Sequence, residues 1–237
     1  FGTITACYTT KDIGSITGVT IVTNIAALNG TAVLTAMNNA LAALNSGTGI
    51  GYEWAASANT DTDGPVLKKT LTYNSGTNTY TAYTATGLMA IDTWLTTSGA
   101  APKDADGNQW TGSTKLAVKI TLGADITLTG NWTPIGDYYN RYTGTFDGGG
   151  HTLTGMTIDN GGNYVGLIGC LGSGGTVKNL TLKGATVSGN KNVGGIAGYN
   201  GAGGTITACS STATVSGTYV GGIAGYNYGT ITACWST

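Results

Sequence analysis

Charge is what this sequence has least of, with 10 basic and 11 acidic side chains among 237 residues. So even and sparse a balance offers no electrostatic footprint for nucleic acid or an anionic membrane surface. Proline occurs only 3 times, which excludes a collagen-like or proline-rich chain. There is one histidine, and the 4 cysteines show no CxxC spacing, so no zinc motif is present. No run reaches the roughly 18 apolar residues of a membrane helix. No basic n-region followed by an apolar h-region opens the chain, so no signal peptide is visible. Disorder is excluded by the opposite test, since 41% of residues are hydrophobic and the net charge is −1. What the chain does have is glycine, 41 residues of it, together with many Thr and Asn.

Those residues are arranged as repeats. Residues 165–182 read VGLIGCLGSGGTVKNLTL, residues 193–211 read VGGIAGYNGAGGTITACSS, and residues 220–237 read VGGIAGYNYGTITACWST. Val165, Val193 and Val220 lie 28 and 27 residues apart, a period that marks a solenoid. Short β-branched runs alternate with Gly and Asn, too short and too glycine-rich for helices. Three strands per line, such as YVGGIAGY, GTITAC and ATVSG, fit one coil of a parallel β-helix, with Gly and Asn at corners that need positive φ. Stacked coils pair about 4.8 Å apart. The pattern extends upstream to about Lys115 through KLAVKITLGADITLTG and TGTFDGGGHTLTGMTI.

Residues 12–114 read differently, as an α+β module that interrupts the solenoid. Leu34, Met37, Leu41 and Leu44 share one helical face, which predicts a helix over 31–46 with Gly47 as its stop. Leu88, Ile91 and Leu95 predict a second over 86–97. GYEWAAS, VLKKTLTYN and TYTAYTA read as strands. The first ten residues, FGTITACYTT, nearly repeat the last ten, YGTITACWST, at a constant offset of 227. Residues 1–11 are therefore expected to be the last coil of a preceding array, and 115–237 the next array. The chain reads as one period of something longer.

The lines YVGGIAGYN and GTITAC, preceded by ADITLTGNWTPIG and YTGTFDGGGHTLTGMTI, resemble proteins with GLUG-motif repeats. TYTAYTATGLMAIDTWL resembles the lead-in to such arrays. The resemblance covers about 115–237 and again 1–10. It implies a right-handed parallel β-helix, an extracellular or bacterial cell-surface location, and a role in adhesion or surface architecture. It implies no reaction.

Candidate chemistry is thin. Polysaccharide-cleaving β-helices need paired carboxylates on one exposed face. From Asn160 to Thr237 there is no Asp or Glu, and the only cations there are Lys178, Lys183 and Lys191. A site would have to lie near Asp125, Asp137, Asp147 and Asp159, which the sequence places on successive turns. His151 follows Asp147 by four residues, but no second histidine or Glu completes a metal or acid/base site, so Asp147 reads as a turn residue and His151 as a strand start. Asn59, Asp61, Asp63 and Gly64 faintly match a calcium loop, as do Asp104, Asp106 and Asn108. The first has Thr70 where an acid is required, and both read better as polar turns. Cys7, Cys209 and Cys234 close the GTITAC strand where Leu180 stands in the neighbouring line, which marks an inward apolar position rather than a disulfide. Cys170 aligns instead with Tyr199 and Tyr226. GSGG (172–175) and GAGG (201–204) lack the Lys-Ser/Thr of a phosphate loop and read as corners. Tyr138, Tyr139, Tyr142 and Trp132 are either a sugar-stacking surface or cover for a coil edge, with cover favoured.

No residue is therefore assigned a catalytic, cofactor or metal role. The expected function is a structural repeat unit of a surface protein, adhesin stalk or fibre, whose partners are neighbouring copies end to end. The alternatives are a glycan-binding domain, a polysaccharide enzyme, and an ice-binding face, for which the 27- and 28-residue spacing is too irregular.

Overall fold

The computed structural model describes residues 52–55, 66–104, 106–159 and 161–237. The repeat at 1–10, the expected helix over 31–46, Cys7 and the loop at 59–64 lie outside them. The described chain is mainly β, a solenoid of about four turns with one helix.

It begins with an antiparallel pair, β1 (Tyr52–Ala55) and β2 (Val66–Lys69). A hairpin follows, β3 (Leu71–Asn74) and β4 (Thr79–Ala82), also antiparallel. Helix α1 (Ala85–Thr96) comes next, one residue from the span its periodicity predicts. Thr84 caps it by accepting from the Gly87 N–H at 3.3 Å. At the other end the Lys115 ammonium donates to the Trp94 carbonyl at 2.9 Å and to that of Thr97, placing a cation on the negative end of the helix dipole.

After a 3₁₀ turn at Lys115–Ala117, the chain coils. The first levels carry β5 (Lys119–Leu122), β6 (Ile126–Thr127), β7 (Thr145–Asp147), β8 (Thr152–Thr154) and β9 (Thr157–Asp159). Next come β10 (Asn163–Val165), β11 (Ile168–Leu171) and β12 (Thr176–Lys178). The later levels are β13 (Thr181–Gly194), β14 (Ala197–Asn200), β15 (Thr205–Thr207), β16 (Ser210–Gly221), β17 (Ala224–Asn227), β18 (Thr230–Thr232) and β19 (Trp235–Ser236).

Three stacks run along the solenoid. One is β5-β7-β12-β15-β18, another β6-β8-β13-β16-β19, and the third β11-β14-β17; within each, every strand is parallel to its neighbour. The predicted register holds: Val165 faces Val193, which faces Val220. One difference emerges. The expected separate strands around ATVSG join into β13 and β16, long strands that round the corners through register shifts between Lys183 and Thr186 and between Ser188 and Lys191.

The corners are not all glycine. Asn179, Ala208 and Ala233 occupy one corner in the left-handed region at φ 51°, 50° and 51°, and Tyr164, Asn192 and Tyr219 another at 60°, 56° and 57°. Small positive-φ glycines do serve the loops read as corners, Gly174 at 81° and Gly203 at 77°.

One hydrophobic core fills the coil interior and continues into the hairpin and helix. Strand β4 pairs parallel with β5, so the hairpin extends the first stack. Over that end α1 buries Leu88, Ile91, Trp94 and Leu95. This end of the solenoid is thereby capped, as a stack of open coils requires.

Candidate functional site

The carboxylates singled out in the sequence do not assemble. Asp125 accepts from the Thr152 N–H at 2.8 Å and sits 3.3 Å from His151 Nδ1. The histidine therefore meets the carboxylate of the previous level, not Asp147 four residues before it. The Thr152 N–H, above all, holds Asp125 below the usual carboxylate range. Asp147 ties a turn by accepting from the Gly149 N–H at 2.9 Å, and it takes Asn179 Nδ2 at 3.0 Å and Lys178 Nζ at 3.2 Å. Partial burial pushes it up, but these hydrogen bonds outweigh that and leave it lowered. Asp137 holds its own loop through the Tyr139 and Asn140 N–H groups at 2.8 and 2.7 Å. Asp159 lies on β9, in register with Ser188. Asp104 is buried, and its oxygens accept from the N–H groups of Tyr73, Asp106 and Asn108 at 3.0, 3.0 and 2.8 Å, so it fastens a loop to β3. Among the described residues no three His, Cys, Asp or Glu side chains gather as metal ligands.

The cysteines follow the column logic. Leu180 and Cys209 are buried at equivalent levels, and Cys234 is half-buried one level on. The Cys209 N–H donates to Cys234 Sγ at 3.4 Å, and the described thiols are free. Burial pushes the Cys170 and Cys209 thiols up to about 12, which makes them poor nucleophiles.

The aromatic cluster divides. Tyr142 and Trp132 are cover: both are buried, with the phenol donating to the Val118 carbonyl at 2.8 Å and the indole to that of Leu167 at 2.9 Å. Tyr138 and Tyr139 go outward, the latter 90% exposed. The third stack explains why. Before β11 that face has only the single bridges Ile135–Ile168 and Tyr142–Leu171, and the residues between them leave the coil as a loop. From that loop Tyr138 stacks on Tyr164 with centroids 5.5 Å apart. Tyr164 meets Tyr199 at 5.9 Å, Tyr199 stacks on Tyr226 at 5.9 Å, and Tyr226 meets Tyr228 at 5.4 Å. The Arg141 guanidinium lies 5.0 Å from the Tyr138 ring and 5.1 Å from that of Tyr199.

The result is an aromatic strip along successive levels, with one cation set into it. Only its first members were singled out from the sequence. Its signal lay in the alignment of Tyr199 with Tyr226, since a side chain repeated at one position of a parallel coil must stack.

At the far end the column positions lose their cover. Val165 and Val193 are 0% exposed and Val220 is 50% exposed, although all three occupy the same place in the coil. Ile206 is likewise buried and Ile231, its partner in register, is only partly so. Among the described residues no strand pairs with the outer edge of β17, β18 or β19.

Residues 189–216, the heart of this coil array, match the family model of the GLUG motif. The chain thus carries a match to the GLUG motif within its coils. It is similar, at 42% identity over 69 residues, to a protein of Evansella cellulosilytica described as a Gly-rich membrane protein, a match covering 28% of this chain and 8% of that one. It is also similar to halomucin of Haloquadratum walsbyi, 37% identical over 79 residues, covering 32% of this chain and 1% of the relative. The chain thus spans less than a tenth of the length of these relatives. No solved structure matches it.

Proposed function

We propose that this chain is a non-catalytic scaffold unit, one 227-residue period of a long extracellular surface protein such as an adhesin stalk or fibre, continued end to end by further copies. The observation that carries this reading is the uncovered last coil, because an exposed apolar end with unpaired strands is stable only when something stacks on it. The near-identity of residues 1–10 and 228–237 supports a following copy as that something. The description of one relative as a membrane protein supports a surface location. Each of Asp125, Asp137 and Asp147 is engaged in its own turn or ion pair, which favours scaffold over catalyst. Electron microscopy of the native material tests the reading. An elongated object with an axial repeat of one such unit is expected, and a compact monomeric particle contradicts it.

A second reading, glycan binding, is favoured by the tyrosine strip with Arg141, which offers ring edges, hydroxyls and a cation to a chain lying along the solenoid. Tyr139 and Tyr228 are its most exposed rings. A glycan array probed with the chain is expected to give hits that Tyr139→Ala with Tyr228→Ala abolishes, and an array without hits removes this reading.

A further inference from the structure

We propose that the open terminal coil is covered by one particular segment, residues 13–50 of the following repeat. This rests on the end-to-end reading above and names the part of the next copy that does the covering.

The surface to be covered has a definite chemistry. Val220, Ile231, Cys234 and Trp235 are exposed or half-exposed on the last level, with Ile223 and Ala224 only partly buried beside them. No charged residue occurs between Lys191 and Thr237, so the end is free of charge, with these apolar side chains uncovered and its strand edges unpaired among the described residues. A charged segment lying on this end would have its own charges desolvated without compensation.

The sequence itself contains the segment that succeeds such a coil. GTITAC occurs at 2–7 as it does at 229–234, and after the first copy comes a stretch with no charged residue between Asp12 and Glu53. Within it SITGVTIVTNIAAL supplies Ile16, Val19, Ile21, Val22, Ile25 and Leu28. A stretch this long, without charge and rich in β-branched residues, needs an apolar surface to lie against. The terminal coil is such a surface, and in sequence the segment follows directly on the copy of its last strand. The opposite end of the array shows the same solution, where the chain covers the first coil with a hairpin and with Leu88, Ile91 and Leu95 of α1. The predicted helical face of Leu34, Met37, Leu41 and Leu44 matches that device.

The test is made on the full chain carrying Cys7→Ser, extended after Thr237 by a second copy of residues 11–50. Labelling of Cys234 by a maleimide at submicromolar protein is the readout, since Cys170 and Cys209 are buried and the extension contains no cysteine. The extension is expected to slow labelling at least tenfold, and an extension with Ile16, Val19, Ile21 and Val22 replaced by Asn is expected not to. Equal rates with and without the extension overturn the proposal, as does a Cys234 already protected in the unextended chain. A third chain, carrying residues 11–237 after Thr237 with Cys234 of the appended copy replaced by Ser, separates the two readings. If it protects Cys234 where the short extension does not, the segment is wrongly chosen and end-to-end stacking stands; if neither protects, both fall.

Discussion

Two residues carry the sharpest predictions. Asp92 is 2% exposed on α1, where one oxygen accepts from the Thr133 N–H at 3.4 Å and the other has no partner. Burial pushes its carboxyl up to about 7. Because the folded value lies above the unfolded one, the stability it allows is complete below about pH 4 and is lost as pH rises to about 7, a change of about 4 kcal/mol. Asp125, Asp137 and Asp147 are lowered and act in the opposite sense, below about pH 4, so among the described carboxyl groups with shifted values the intermediate window belongs to Asp92. Urea denaturation across that window is expected to show the decline, and Asp92→Asn to flatten it and to stabilise the protein at pH 8. A second case is Ala208, whose left-handed φ of 50° costs an alanine about 1 kcal/mol or more. Ala208→Gly is expected to raise stability by roughly 0.5–1 kcal/mol despite the greater chain entropy of glycine, measured by the same unfolding curves. Neither site was legible beforehand. Asp92 falls among Leu88, Ile91 and Leu95 in sequence, but its burial depends on where Thr133 is brought by the first coil. Corners were expected at Gly and Asn, whereas parallel stacking fixes the corner level by level and obliges Ala208 and Ala233 to take the conformation of Asn179. The position of Cys209, by contrast, was readable, because Leu180 in the aligned line identified it as inward.

At the scale of elements, the cap stands or falls on one close approach. A Cβ on Gly87 would lie 2.0 Å from the Thr70 carbonyl oxygen, backbone that cannot move aside without separating α1 from β3. Gly87→Ala, harmless in an isolated helix, is expected here to cost several kcal/mol and to expose Trp94, which its fluorescence would report. The rungs make a paired prediction. Ile206→Ala removes a fully buried side chain and is expected to cost about 2–5 kcal/mol, while Ile231→Ala, one level on and partly uncovered, costs less than half as much. Equal costs would mean that the last rung is as well packed as the one before it. The helix and the strands of the lead-in were visible in periodicity, since Leu88, Ile91 and Leu95 define a face by spacing alone. Their use as a cap was not, because the parallel pairing of Tyr80 with Ile120 joins residues 40 positions apart and no local pattern encodes it. The aromatic strip failed to show for the same reason: Tyr138 reaches Tyr164 only because its loop is expelled between Ile135 and Tyr142.

For the whole molecule, stability is expected to be distributed as in a one-dimensional array, where each level depends on its two neighbours. The coils from β12 to β16 have both, the hairpin and α1 supply one for the first levels, and among the described residues β17 to β19 have a neighbour on one side alone. This asymmetry is the central claim, and it was legible in outline from the 27- and 28-residue spacing, which fixed the stacking but not which end was closed. Amide hydrogen exchange tests it most directly, comparing the single chain with a chain in which residues 11–237 are appended after Thr237. In the single chain, Thr230–Thr232 and Trp235–Ser236 are expected to exchange orders of magnitude faster than Thr205–Thr207 and to become as protected as that rung when the second copy is attached. Uniform protection in the single chain, or a last rung that exchanges as fast with the second copy as without it, would contradict the account.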